Sequence, residues 1–140
     1  MAKYGSNSLT IQVDSTEGGS LSDISNYITS INGVEVEAVL AESHAFGDSW
    51  FEHLATGLRK MNPVVLGGFY DDTASTGPNA IFVGVQDSPA DQTRTLQITW
   101  GGSKTTTVEV WIQKYSRMAT RNELTRFEVT LQPTGAVTEA

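Results

Sequence analysis

GGFYDDTASTGPNAIF, residues 67–82, is the stretch on which the fold turns. Phe69 and Tyr70 are large β-formers behind the small Gly67-Gly68 pair, so the stretch opens as a strand. It then meets two adjacent carboxylates, Asp71 and Asp72, and runs on into Ser, Thr, Gly and Pro. If Asp71 and Asp72 ligate a cation, the chain belongs among metal-dependent enzymes. If they only close a strand, the stretch is a strand and turn within a β domain. A dedicated Ca²⁺ or Mg²⁺ site needs about six oxygens, commonly from a D-x-D-x-D-G loop that ends in Glu. No acid follows Asp72 until Asp87. The reading adopted is that both carboxylates bond to the loop backbone and end the strand.

Working outward, period-two alternation dominates, as expected of half-buried strands. In SLTIQVD, Leu9, Ile11 and Val13 oppose Ser8, Thr10 and Gln12. In TRTLQITW, Leu96, Ile98 and Trp100 oppose Thr95, Gln97 and Thr99. TTVEVWIQKY sets Val108, Val110 and Ile112 against Glu109, Trp111, Gln113 and Tyr115. LTRFEVTLQ sets Phe127, Val129 and Leu131 against Arg126, Glu128 and Thr130. VVLGGFY is denser and reads as a strand covered on both faces, its glycines marking a bulge or close backbone approach. Gly101-Gly102 stands between two alternating runs and reads as a hairpin turn.

The region between is less regular. VEVEAVLAESHAF (34–46) starts as a strand, with Glu35 and Glu37 on one face, and blurs from Ala38 to Ala41. SDISNYITSI reads as a short helical turn or an irregular strand, followed by Asn32-Gly33 in a tight turn. The spacing of Trp50, Phe51, Leu54 and Leu58 predicts a helix over about 48–60, capped by Asp48 or Ser49. Arg59 and Lys60 complement its C-terminal end, and Pro63 stops it. The fold class is therefore mainly β, a sandwich or barrel with one flanking α-helix. It is a single domain over 1–140, with loose polar arms at about 1–7 and 133–140.

Composition bounds the chemistry. The chain has 140 residues and no cysteine, which excludes disulfides, thiol nucleophiles and thiolate metal sites. No apolar run approaches the roughly 20 residues needed to cross a bilayer. The opening MAKYGSNS lacks the apolar block of a signal peptide, so a soluble chain made in a cytoplasm is expected. The net charge is −7, all of it within residues 1–72, which hold ten acids and three bases; the rest holds six of each. Tight nucleic-acid binding relies on Lys and Arg displacing counterions, so this balance argues against it.

Catalytic constellations are weak. His44 and His53 are the only histidines, and their spacing matches no zinc motif. There is no G-x-S-x-G elbow, and no Gly-Gly pair leads into G-K-[ST] or sits in G-x-G-x-x-G. Trp50, Trp100 and Trp111 could form a carbohydrate platform or, more commonly, core and interface anchors. No cofactor and no metal are expected.

Three stretches carry a resemblance. SDISNYITSINGVEVE, then HAFGDSWFEHLATGLRKMNPVVLGGFYDDTASTGPNAIF, and finally KYSRMATRNELTRFEVTLQPTGAV resemble the major tail tube proteins of long, non-contractile-tailed bacteriophages. The matching elements are Asp23-Ile24-Ser25, Phe46-Gly47-Asp48, Gly57-Leu58-Arg59, Gly68-Phe69-Tyr70-Asp71-Asp72, Thr76-Gly77-Pro78 and Thr134-Gly135-Ala136-Val137, spanning about residues 20–138. The resemblance implies a β-sandwich subunit that forms hexameric rings. These stack into a hollow tube around a tape-measure protein, between tail terminator and initiator proteins. It implies no catalytic residue, a place in the virion tail, no membrane, and DNA only as passing cargo. It also makes TASTGPNAIF a connecting loop, with Pro78 able to open a short helix. Six copies of a −7 chain carry −42 per ring, which would let a polyanion slide. Glu35 and Glu37 are the candidates for the channel wall, with bulk solvent as the alternative. The N-terminal arm, the 14–23 and 71–80 loops and the C-terminal tail are expected to order on stacking.

Overall fold

The computed structural model describes residues 3–5, 8–14, 19–74, 76–83 and 93–140. Its strands are β1 (Thr10–Asp14), β2 (Leu21–Asp23), β3 (Ile28–Asn32), β4 (Val36–Glu42), β5 (His53–Met61), β6 (Val64–Phe69), β7 (Arg94–Gly101), β8 (Lys104–Met118) and β9 (Arg126–Glu139). Helix α1 covers Pro78–Phe82, and Ser25–Tyr27 form a 3-10 turn.

Seven strands make one antiparallel sheet in the order β2-β1-β7-β8-β9-β6-β3. The two edge strands, β2 and β3, are joined only by Ile24 and the 3-10 turn, so the sheet curls until its edges approach. Ser25 ties the seam. Its hydroxyl accepts from the Ile11 amide at 2.8 Å and donates to Asp23 Oδ1 at 2.6 Å. The Ile24 amide donates to the Ile11 carbonyl at 3.0 Å.

The alternating runs place their apolar faces inside, as the period-two reading requires. Val13, Leu96, Ile98, Val110, Val129, Leu131, Val64 and Leu66 are all 0% exposed. β6 has one fully buried and one half-buried face. Its glycines mark close backbone approach: a Cβ at Gly68 would run into the Tyr27 carbonyl. The β7–β8 turn falls one residue later than the Gly101-Gly102 reading: Gly102 and Ser103 form it at φ 57° and 65°, and Gly101 ends β7 opposite Lys104. Tyr115, which alternation sets on the face opposite Val108 and Val110, packs on the core side with them. The β8–β9 register shifts between Ile112 and Lys114, and a bulge of this kind reverses side-chain facing.

Helix α1 closes the open end of the core. Gly77 is its extended N-cap and Pro78 occupies its first turn. Ile81 and Phe82 are fully buried. The Phe82 ring lies 6.0 Å from Phe127 and 6.1 Å from Tyr115. The Tyr115 hydroxyl donates to Asn79 Oδ1 at 3.0 Å, fixing the helix to β8.

Two expectations fail. The segment expected to be a helix at about 48–60 is instead loop followed by β5, paired antiparallel with β4 from Val36↔Met61 to Glu42↔His53. Its helical spacing of apolar residues reports no core contact: Trp50, Phe51, Leu54 and Leu58 are 84%, 75%, 61% and 65% exposed. Gly57, at φ 84°, also breaks any helix there. The stretch 133–140, expected as a loose arm, is instead the end of β9. It pairs with β8 as far as Thr106↔Glu139, and Ala140 and Thr105 exchange backbone hydrogen bonds at 3.0 Å. Of the other segments expected to order on stacking, residues 1–2, 6–7, 15–18 and 75 lie outside the described residues.

Candidate assembly surface

Strands β4 and β5 form a sheet of their own, a two-stranded arm beside the curled sheet. Within β4 and β5, only Val39 and Met61 are other than exposed. An isolated two-stranded hairpin is at best marginal in water, so its local bonds matter. Thr56 Oγ1 donates to the Val39 carbonyl at 2.8 Å. Lys60 Nζ lies 3.2 Å from Glu37 Oε1. Asn62 Nδ2 donates to Glu35 Oε1 at 2.8 Å, and the Asn62 amide to the Glu35 carbonyl at 3.2 Å. At the base, β5 and the Gly135–Val137 end of β9 flank a groove of about 440 Å³.

The tip is built by Asp48. Its Oδ2 accepts from the Ala45 amide at 2.6 Å, while its own amide donates to the Ala45 carbonyl at 3.0 Å. This turn presents Phe46 and Gly47 to solvent, with Phe46 fully exposed. Phe51 packs edge-on against His44 with ring centres 4.4 Å apart.

Of the eleven large apolar side chains that stand exposed among the described residues, seven are on the arm: Val36, Leu40, Phe46, Trp50, Phe51, Leu54 and Leu58. Isolated exposed apolar residues are ordinary, but their concentration on one small element points to an interaction surface. This chain therefore carries a protruding, apolar, weakly self-supported element that a second surface could cover.

The chemical candidates do not converge on a site. Asp71 Oδ1 accepts from the Thr73 amide at 2.8 Å and, in a short bond, from the Thr73 hydroxyl. The hydroxyl bond first, and the amide bond second, hold this carboxyl below the ordinary aspartate value of 3.8. Asp71 is thus the loop-closing residue that the sequence suggested, and Asp72 is exposed beside it. No group of three His, Asp or Glu among the described residues could hold a metal ion. His44 Nε2 is 3.9 Å from Glu42 and His53 lies exposed on β5. The tryptophans share no platform. Trp50 is near the arm tip, Trp111 is on the outer face of β8, and Trp100 packs beside the core with its indole donating to Thr106 Oγ1 at 2.8 Å.

The motif positions fall into separate groups. Phe46, Gly47, Asp48, Gly57 and Leu58 belong to the arm. Gly68, Phe69, Tyr70, Asp71, Asp72, Gly77 and Pro78 run along the end of β6 into α1, and Gly135 kinks β9 at φ 78°. Glu35 and Glu37 stand exposed at the arm base. The arm as a structural unit was missed in the sequence; the alternation from Val34 to Glu37 and the interrupting Gly57 were its only signals.

No protein-family model matches this chain, and no curated protein matches it in sequence. Solved structures do. A chain from the tail of an empty gene transfer agent particle, refined helically with C6 symmetry, aligns with a TM-score of 0.75 at 15% identity, covering 99% of both chains. A chain of the anti-feeding prophage baseplate, 6-fold symmetrised, aligns with a TM-score of 0.70 at 12% identity over 100% of this chain and 97% of that one. A chain of a contractile injection system's sheath-tube complex aligns at 0.68, with 12% identity over 99% and 91%. The curled sheet with its arm is thus the tail tube fold, shared by tail and injection-tube components.

Proposed function

We propose that this chain is the repeating structural subunit of a phage-type tail tube. Six copies close into a ring and rings stack into a hollow tube in the virion tail. The particle is assembled in a bacterial cytoplasm around a tape-measure protein, between terminator and initiator proteins. The 140 residues act as one domain, without catalytic residue or cofactor, and DNA passes through as unbound cargo. The observation that carries this reading is the arm: its apolar side chains have no cover within the described residues of one copy, and an assembled neighbour supplies it. The full-length alignment to a chain from a C6-symmetric tail supports six copies per ring. A ring contact is heterologous and closes when its rotation does.

The net charge supports the conducting role. A channel without free cations offers DNA nothing to exchange for its counterions. Glu35 and Glu37 remain the channel candidates; Lys60 offsets the charge of Glu37, so Glu35 carries more of that role. A second reading, the tube of a contractile particle, is favoured by the alignments to the baseplate and sheath-tube chains.

Electron microscopy of the purified chain across a concentration series tests the proposal. Rings and hollow tubes with six-fold symmetry are the expected result. A monomer at every concentration, under every salt condition, contradicts it. Co-purification with a sheath protein from the native particle distinguishes the contractile reading.

A further inference from the structure

The arm and the β8–β9 turn lie at opposite ends of β6. Strand β6 leaves the arm base at Val64, opposite Leu131, and reaches Phe69, opposite Arg126, beside the turn that follows Met118. The two ends differ in charge. From Val36 to Glu52 the chain holds Glu37, Glu42, Asp48 and Glu52 and no Lys or Arg. From Lys114 to Arg126 it holds Lys114, Arg117, Arg121 and Arg126 against Glu123 alone.

Those four cations are exposed, and none lies within ion-pair reach of a carboxylate among the described residues. Arg117 stacks over Tyr115 at 5.6 Å and Arg126 over Phe69 at 5.2 Å, which leaves their guanidinium groups available to an incoming anion. The nearby acids are Glu123, Glu128, Asp71 and Asp72, and Asp71 is engaged by Thr73. The same end carries Met118 and Leu124, 46% and 70% exposed. Among the described residues, these are two of four large exposed apolar residues outside the arm. The turn therefore offers cations around an apolar centre, and the arm tip offers carboxylates around Phe46, Trp50 and Phe51.

We infer that the arm tip of one copy seats on the β8–β9 turn of a second copy in the adjacent ring, with Glu42 and Glu52 facing Arg117 and Arg121 across an aromatic and aliphatic centre. Because knob and socket occupy opposite ends of one subunit, the contact is heterologous. It repeats along an axis instead of closing a pair. Opposite charge at the rim sets which end meets which and steers the encounter, while the apolar centre supplies the affinity.

This inference rests on the tube reading, and the test separates the two. The full-length chain, the reversal R117E/R121E, the reversal E42K/E52K and the combined quadruple variant are compared by electron microscopy and sedimentation, with thermal melting to confirm folding. Each single-sided reversal turns attraction into repulsion. It should raise the concentration needed for tubes by on the order of tenfold or more while rings persist. The quadruple variant, with complementary charge restored, should form tubes again. If wild-type tubes form and both single-sided reversals form them equally well, the inference is overturned and the tube reading stands. If the wild type forms neither rings nor tubes, the tube reading itself has failed.

Discussion

Replacing Leu54 and Leu58 together by Ser separates folding from assembly. Both sit on β5 and are 61% and 65% exposed in the single subunit. Full burial of a leucine side chain is worth about 1.5–3 kcal/mol. With roughly two-thirds of each side chain still open to water, covering it on assembly contributes about 1–2 kcal/mol per residue. The pair is therefore worth about 2–4 kcal/mol per contact, which converts to roughly 30-fold to 1000-fold in association. Within the lone subunit the change should stay within about 0.5 kcal/mol, as for surface positions generally. The assay measures two quantities on one preparation: the melting temperature of dilute monomer, and the critical concentration for rings and tubes by sedimentation. The expected result is an unchanged melt and a strongly raised critical concentration. A large drop in monomer stability would show that these leucines are core, and an unchanged critical concentration would show that the arm is not an assembly surface. Either outcome refutes the reasoning.

Three further outcomes follow from the geometry. Gly68→Ala should destabilise by roughly 1–3 kcal/mol in denaturant titration, because the new Cβ meets the Tyr27 backbone carbonyl, which cannot rotate away. Phe82→Ala should cost about 3–5 kcal/mol and release α1 from the core, seen as lost protection of the 79–82 amides. Burial pushes the Tyr115 phenol above the ordinary 10.0, with Arg117 pulling it down and Tyr70 pushing it up. Its contribution is then fully present below that ordinary value and is lost as pH rises through the raised one, so Tyr115→Phe should flatten the alkaline limb of stability against pH.

Much of the fold was legible because a core enforced it. Leu96 and Ile98, or Val129 and Leu131, alternate with polar neighbours because one sheet face is sealed and the other wet. The arm was misread for the complementary reason. Trp50, Phe51, Leu54 and Leu58 satisfy a helical period by coincidence, and no core within one chain selects their conformation. Tyr115 was placed on the wrong face because a bulge adds one residue that alternation cannot anticipate. The stretch from Pro133 looked loose because it is small and polar, yet β8 pairs with Pro133, Thr134, Thr138 and Glu139 on either side of an unpaired Gly135–Val137 bulge. Asp71 was read correctly, since a carboxylate two residues before a threonine amide has a local bond available. The proposed assembly surface was legible only as a resemblance around Phe46-Gly47-Asp48. Its physical signature, apolar side chains without cover, exists only once the fold is known.

Hydrogen exchange of the β4 and β5 amides, 36–42 and 53–61, in dilute monomer and in assembled particles, tests the central claim most directly. Slow exchange of these amides in the particle, against fast exchange in the monomer and unchanged β7 and β8 amides, is the predicted result. Equal protection of the arm in both forms would contradict it.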